Sequence, residues 1–455
     1  MPMKTVASDF FQARLNEKLA DSLAAPIPSG TTRRVYGAVH LAGKISAVVG
    51  MRRSGKTMFL HQIRRQRAAD GTPRECMPYI NFEDERLAGL TADHLHPLVE
   101  EYYRHFPALR GSRSVVWCFD EIQNVPGWER FLRRVMDSEQ VEIYLTGSSA
   151  ALLSREIATA LRGRAWEVVM LPFSFEESMR HNGHPIPERP DFLDAPSRSL
   201  LERRFLDYLV AGGFPEAQGL GPSTRFQLLR DYVDVAILRD VVERHAVSNV
   251  AGLRWLVRHL LGNAAGLFSV EKFYAALKSQ GLAISKDTVH HLMGYLQDCF
   301  LVRTVWMEAA SERQRMVNPR KAYPVDPGLI AVFDRTGRSN LGHALETAVA
   351  LELERRRAEV SYVKTLQGCE VDFLARYPNG EMELIQVCAE AGNPETAGRE
   401  LRALVEAGRE FPGAHRRLLT LTQDGLPAGI PSNVIAQPAY VWLLTSEAFD
   451  IDKGE

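Results

Sequence analysis

The eight residues Gly50-Met51-Arg52-Arg53-Ser54-Gly55-Lys56-Thr57 have the spacing G-x-x-x-x-G-K-T. Each residue type suits a phosphate. Gly50 and Gly55 let the backbone turn tightly, so that its N–H groups aim at phosphate oxygens. A helix starting at Lys56 would present its positive end to the same anion. Lys56 would bring a charge to the β- and γ-phosphates, and Thr57 a hydroxyl ligand for Mg²⁺. Arg52 and Arg53 lie inside the loop, either over a nucleotide or facing solvent. A second group of candidates ends the apolar run Val115–Phe119. There Asp120 would hold Mg²⁺ and Glu121 would polarise an attacking water. A third strand-like run, Glu142–Thr146, ends in Gly147-Ser148-Ser149. Ser148 is the candidate sensor of the γ-phosphate, with a simple helix cap as the alternative. Arg164, in Leu161-Arg162-Gly163-Arg164, is the candidate arginine finger, acting in cis or from a neighbouring subunit, with a surface charge as the alternative. The chain has no Asn-Lys-x-Asp pattern that would read guanine, so the expected ligand is ATP with Mg²⁺.

These residues need elements to position them. Ile45–Val49 reads as a buried strand leading into the loop, and Met58, Leu60 and Ile63 follow at helical spacing. Met77–Phe82, Val115–Phe119, Glu142–Thr146 and Ala165–Leu171 are further apolar runs separated by helical stretches. This alternation predicts an α/β fold with a parallel sheet. Residues 1–35 form an N-terminal extension ending in the breaker cluster Pro26-Ile27-Pro28-Ser29-Gly30. The ATPase core is expected over 36–178, followed by a helical lid or linker over 179–250 that is interrupted at Gly212-Gly213-Phe214-Pro215.

Several segments in order resemble one family: Gly50–Thr57, Tyr79-Ile80-Asn81-Phe82-Glu83-Asp84, Asp120-Glu121-Ile122-Gln123-Asn124, Leu145–Ser149, Leu171-Pro172-Phe173-Ser174-Phe175 and Gly212-Gly213-Phe214-Pro215-Glu216. The chain is similar to the prokaryotic AAA-type ATPases that carry a C-terminal domain of unknown function. The resemblance spans nearly everything after about residue 35. It implies a P-loop NTPase core, a winged-helix-like middle module over 251–310, and a restriction-endonuclease-like α/β domain over 311–455. It defines architecture better than biological role.

In the middle module, Ser269–Ser279 reads as a helix, Gly281-Leu282 as a turn, and Ser285 as the N-cap of a second helix running to about Leu296. Lys286, Thr288, His290 and His291 could face a DNA groove. Residues 251–310 hold 6 Lys and Arg against 4 Asp and Glu, a weak basic balance for tracking phosphates. A plain packing module is therefore the competing reading. In the last domain, Glu346 on the helix Gly342–Arg357, Asp372 on one strand, and Gln386 with Cys388 on the next follow the order of a metal-dependent nuclease site. Glu346 and Asp372 fit as metal ligands. Gln386 stands where an acid is expected and Cys388 where a lysine is expected, with Lys364 as a spatial substitute. A neutral amide is a weak ligand for a hard cation, so a degenerate, non-cutting domain is expected. Arg355-Arg356-Arg357 reads as a solvated helix end, with a local basic patch as the alternative.

The chain has 455 residues, is 45% hydrophobic and 24% charged, and carries a net charge of -1. These values fit a multidomain globular protein and exclude a polycation. No apolar run reaches membrane-helix length and no targeting segment is evident, so no membrane partner is expected. The five scattered cysteines form no Cys-x-x-Cys pair, which points to the cytoplasm rather than a disulfide framework. Three functions remain open at this level: an ATP-driven switch or motor, an ATP-regulated nuclease, and a regulator that binds DNA or protein with nucleotide as a conformational ligand. A homo-oligomer is compatible with each.

Overall fold

The computed structural model describes residues 2–147, 161, 163–334, 340–389 and 392–445. Ser148, Ser149 and Arg162 lie outside the described residues. Two compact units divide the chain, Met1–Met170 and Leu171–Glu455.

The first unit holds five parallel strands: β1 (Ile45–Val49), β2 (Tyr79–Asn81), β3 (Val115–Asp120), β4 (Val141–Gly147) and β5 (Ala165–Val169). Their order across the sheet is β2-β3-β4-β1-β5. Every residue of β1 and β3 is buried, as expected for a parallel sheet covered on both faces. The helix Trp128–Ser138 buries Trp128, Phe131, Leu132 and Val135, one stripe at helical spacing. Phe131 meets Phe119 of β3, which stacks on Trp117, and Trp117 meets Tyr102 of the helix Ala92–His105. Aromatic pairs of this kind add roughly 0.5–1.5 kcal/mol each beyond their buried area. The helix Pro2–Ala24 belongs to this unit: Leu15 and Leu19 are buried, and Ser22 accepts from the Tyr79 N–H through its Oγ.

The second unit is built on one eight-stranded mixed sheet. Its strands are β6 (Leu267–Phe268), β7 (Val302–Met307), β8 (Arg320–Pro324), β9 (Glu359–Lys364), β10 (Glu370–Arg376), β11 (Met382–Cys388), β12 (His415–Thr420) and β13 (Ile435–Pro438). The order is β13-β12-β11-β10-β9-β7-β8-β6. A boundary at 310/311 would cut the antiparallel β7–β8 pair. Parallel pairing of β7 with β9 joins the two ends into one sheet. The segment after Met307 closes this hairpin, with a short helix at Glu312–Val317.

The Gly212-Gly213 interruption is a close-packed joint. The Phe173 N–H donates to Gly213 O at 2.7 Å. A Cβ on Gly213 would lie 2.1 Å from Phe173 O, and one on Gly212 would lie 1.8 Å from Asp326 Oδ1. Asp326 is fully buried and accepts from the N–H groups of Gly213 at 2.5 Å and Gly328 at 2.8 Å. Burial pushes its carboxyl up to about 7, against the pull of those two donors.

Candidate functional site

Parallel pairing brings the C-terminal ends of β1, β3 and β4 to one edge of the first sheet. The loop after β1 has the backbone of an anion cradle. Gly50 has φ +153° and Gly55 φ +99°. A Cβ on Gly50 would sit 2.1 Å from Met170 O, so only glycine fits there. Arg53 occupies the left-handed region at φ +67°. Gly55 caps the helix Lys56–Ala69 without any side-chain hydrogen bond, leaving that helix end to a ligand. Lys56 is buried and its Nζ donates to Gly50 O at 3.1 Å and Met51 O at 3.2 Å. The buried Ser54 Oγ has no hydrogen-bond partner among the described residues. An uncapped helix end, an orphaned hydroxyl and a glycine that admits no side chain together fit a phosphate group. Arg52 lies 3.8 Å from Glu83, and Arg53 is exposed.

The carboxylate pair is held from both sides. Asp120 is buried; its Oδ2 accepts from the Tyr79 hydroxyl at 2.7 Å and its Oδ1 accepts from the Thr146 hydroxyl. Thr146 Oγ1 in turn accepts from the Glu121 N–H at 2.9 Å. One threonine on β4 thus holds the Asp120 carboxylate at the end of β3 and the backbone of Glu121 just after it. Burial, and then Asp120, drive the Tyr79 phenol far above its usual range, so it stays a donor. Glu121 has φ +53° and its carboxylate accepts from the Gln123 amide. Behind Tyr79 the buried Arg64 donates to Met77 O at 3.1 Å and Ser22 O at 2.9 Å.

Three residues here were not singled out from sequence: Tyr79, Thr146 and Arg33. Arg33, inside the supposed N-terminal extension, is buried and donates from Nη1 to Ser54 O at 2.7 Å. Its backbone N–H donates to Gln62 Oε1 at 2.7 Å, and Gln62 Nε2 donates back to Arg33 O at 2.9 Å. This clamp ties the segment before β1 to the phosphate loop and to the helix after it. The available sequence signal was an arginine pair just after a breaker cluster.

Of the two remaining nucleotide-site candidates, Ser148 falls outside the described residues. Arg164 immediately precedes β5, whose first residue Ala165 pairs with Ile45 at the start of β1. The phosphate loop follows the other end of that five-residue strand, roughly 16 Å away at ~3.3 Å per residue. Arg164 ion-pairs with Asp137 beside Arg130, Arg133 and Arg134. This position speaks against the cis reading and leaves a neighbouring subunit or a surface charge as the alternatives.

In the second unit Glu346 and Asp372 do meet, around a lysine that sequence reasoning missed. Lys321 Nζ on β8 lies 3.0 Å from Glu346, 3.1 Å from Glu370 and 2.8 Å from Asp372. The Tyr323 hydroxyl donates to Glu346 at 2.8 Å, and the Val387 N–H to Asp372 at 3.0 Å. Burial and then Asp372 push Glu346 up to about 7. Burial works against the Lys321 charge, but Asp372, Glu346 and Glu370 outweigh it and hold the ammonium above its usual range. Gln386 accepts from the Asp372 N–H at 3.3 Å and donates to Glu400 at 2.7 Å. Cys388 is buried in an apolar cluster with Val363, Leu374 and Leu404. Lys364 is exposed and does not supply the expected charge. Among the described residues no group of three or more His, Cys, Asp and Glu is arranged to hold a metal ion. With Lys321 Nζ between them, Glu346 and Asp372 do not fit a resident divalent cation.

The three-helix segment beside β6 and β7 exposes His290 and His291, while Val289, Leu292, Met293 and Leu296 of the helix Lys286–Asp298 are buried. Ser285 caps this helix by accepting from the Thr288 N–H at 3.0 Å. Lys286 is ion-paired with Glu271. A groove of about 1060 Å³ lies nearby, its charged lining Arg230, Arg254, Arg258 and Lys272 with Asp234 and Asp334, and Arg254 is ion-paired with Asp234.

A family model described as an AAA domain matches residues 42–179, and one described as a domain of unknown function matches 202–340. The five-stranded sheet, phosphate loop and carboxylate pair lie within the stretch that matches the AAA model, a resemblance that implies nucleotide binding. An uncharacterized protein of Methanocaldococcus jannaschii is 32% identical over 392 residues, covering 85% of this chain and 84% of that one. The chain belongs to the same family as this archaeal protein. An uncharacterized protein of Haemophilus influenzae is 28% identical over 347 residues, covering 76% of this chain and 82% of that one. Among solved structures, a Walker-type ATPase of Pyrococcus abyssi matches at 17% identity and a TM-score of 0.34, covering 71% of this chain and 95% of that one. No described helix is long and apolar enough to cross a membrane.

Proposed function

We propose that this protein binds ATP with Mg²⁺, hydrolyses it, and uses the cycle to drive a conformational switch or motor. The observation that carries this reading is the Asp120–Glu121 pair, held by Thr146 and Tyr79 at the sheet edge where the phosphate loop begins. In this reading the loop Gly50–Thr57 takes the phosphates on its N–H groups. Lys56 exchanges its carbonyl partners for the β- and γ-phosphates, and Thr57 with Asp120 holds Mg²⁺. Mg²⁺ held there would neutralise phosphate charge, and Glu121, released from Gln123, would orient the attacking water. Ser148 senses the γ-phosphate. The finger Arg164 acts in trans, from a second copy of the chain. Phosphate release that requires Mg²⁺ and disappears in Glu121→Gln is the test. No turnover in the wild-type chain would defeat the proposal. Mixing Lys56→Ala with Arg164→Ala protein tests the trans arrangement, since the two defects complement only between copies.

For the output we favour contact with nucleic acid. The three helices from Val250 to Asp298 with the β7–β8 hairpin support a winged-helix-like reading, and the groove beside them carries four basic side chains, Arg230, Arg254, Arg258 and Lys272, against Asp234 and Asp334. Fluorescence anisotropy with labelled duplex across a salt series tests this, with Arg254→Ala/Arg258→Ala expected to weaken binding and flatten the salt slope. Absence of binding at low salt leaves protein partners as the output. The helix Leu341–Arg355, strands β9–β11, the helix Pro394–Glu410 and β12 support a restriction-endonuclease-like outline for the last domain, without cleavage.

A further inference from the structure

Three carboxylates from two elements, Glu346 on a helix and Glu370 and Asp372 on β10, converge on one point inside the second unit. Such convergence is costly unless a cation sits there. The point is filled by Lys321 Nζ, reached from β8 across the sheet. The surrounding groups are satisfied as well: Tyr323 donates to Glu346, the Val387 N–H to Asp372, and Gln386 bridges the Asp372 backbone to Glu400. We infer that Lys321 is the resident cation of this cage, a tethered ammonium that takes the place a divalent metal would need.

Size and charge support this assignment. Hard divalent cations need several anionic oxygens at ~2.0–2.6 Å, whereas the ammonium holds these oxygens at 2.8–3.1 Å in hydrogen-bond contact. Its charge offsets the repulsion among the acids without emptying the cage. The lysine is covalently part of the chain, so its local concentration far exceeds that of any free metal. The cage also pins β8, from the end of the sheet shared with β6 and β7, to β10 and the helix Leu341–Arg355. It is a charge joint, and the domain that contains it needs no metal and performs no metal-dependent cutting.

The test is a Mn²⁺ titration of the full chain without nucleotide, followed by electron paramagnetic resonance and by thermal unfolding. The wild-type protein is expected to show no tight Mn²⁺ site and an unfolding temperature indifferent to chelator. Lys321→Ala empties the cage and should gain one Mn²⁺ per chain, bound on the order of tenfold tighter or more than in wild type. Lys321→Ala/Asp372→Asn should lose that gain, and Lys321→Arg, which keeps a cation in place, should never show it. If Lys321→Ala does not fold, Lys321→Met/Glu346→Gln, with one charge of each sign removed, replaces it as the reference and should unfold independently of Mn²⁺. Tight Mn²⁺ binding by the wild-type chain that Asp372→Asn abolishes overturns the inference. So does a folded Lys321→Ala protein that ignores Mn²⁺. Nucleotide binding at Lys56 is measured separately, so failure here leaves the ATPase proposal untouched.

Discussion

Two buried lysines serve opposite ends. Lys56 donates to carbonyl oxygens of its own loop, beside an uncapped helix end and an orphaned Ser54 hydroxyl. Lys321 is held by three carboxylates, two of which are held by other donors, Glu346 by the Tyr323 hydroxyl and Asp372 by the Val387 N–H. Carbonyl oxygens carry no net charge, so an incoming phosphate can displace them. Carboxylates cannot be displaced without leaving charge unpaired in a low-dielectric interior. The first arrangement is poised for a ligand and the second is already complete. The same side chain therefore marks a site in one place and a joint in the other. The distinction lies in the partners rather than in burial.

The largest effect that would sharpen this contrast is at the first site. Glu121→Gln removes the group placed to activate water, and turnover should fall by roughly 10²–10⁴ while nucleotide binding persists. Lys56→Ala should instead lose nucleotide binding itself, read by fluorescence of a labelled analogue. At the second site, Lys321→Met leaves carboxylates facing one another with no cation. Breaking a buried pair this way costs ~3–5 kcal/mol, expected as a lowered urea midpoint. An unchanged midpoint would mean the cage is no joint.

The phosphate loop was legible because its eight residues are contiguous and its chemistry is carried by local backbone. Asp120 and Glu121 were legible because a buried strand ends in them. Thr146, Tyr79 and Arg33 were not, because the order β2-β3-β4-β1 that sets Tyr79 and Thr146 on either side of Asp120 is a property of the sheet. The cis-or-trans choice at Arg164 was open for the same reason: the parallel pairing of β5 with β1 decides which end of the sheet it reaches. In the second unit the nuclease-like spacing led to Glu346 and Asp372, which do meet. It pointed to Lys364 and Cys388 for the lysine, whereas Lys321 comes from a strand paired across a boundary that sequence placed at 310/311. Long-range pairing, not residue type, was the missing information.

A smaller effect follows from pH at the Gly212-Gly213 joint. Asp326 ionises near 3.8 in the unfolded chain and near about 7 when buried. The folded form therefore holds its proton longer, so the stabilisation from this group is complete below about pH 4 and is lost as pH rises towards 7. Glu346, raised to about 7, acts in the same window and direction. The stability difference between wild type and Asp326→Asn, from urea unfolding, should shift against wild type between pH 4.5 and 7.5. A pH-independent difference would mean that Asp326 stays ionised, held by its two backbone donors.

The smallest expected effect returns to the poised site. Thr146→Val keeps the shape of the side chain but removes one hydroxyl that donates to Asp120 and accepts from the Glu121 N–H. Losing a buried hydrogen bond to a charged group costs about 1–3 kcal/mol, so both folding stability and Mg²⁺-dependent turnover should decline. Tyr79→Phe removes only the donor to the other oxygen of Asp120. If Asp120 is a metal ligand, the two variants should raise the Mg²⁺ concentration needed for half-maximal hydrolysis, because a carboxylate freed from its donors loses its fixed orientation. Glu121, whose N–H bonds to Thr146 and not to Tyr79, separates them further: Thr146→Val should also lower the maximal rate, and Tyr79→Phe should not. Equal maximal-rate losses in both would mean that Thr146 orients Asp120 alone.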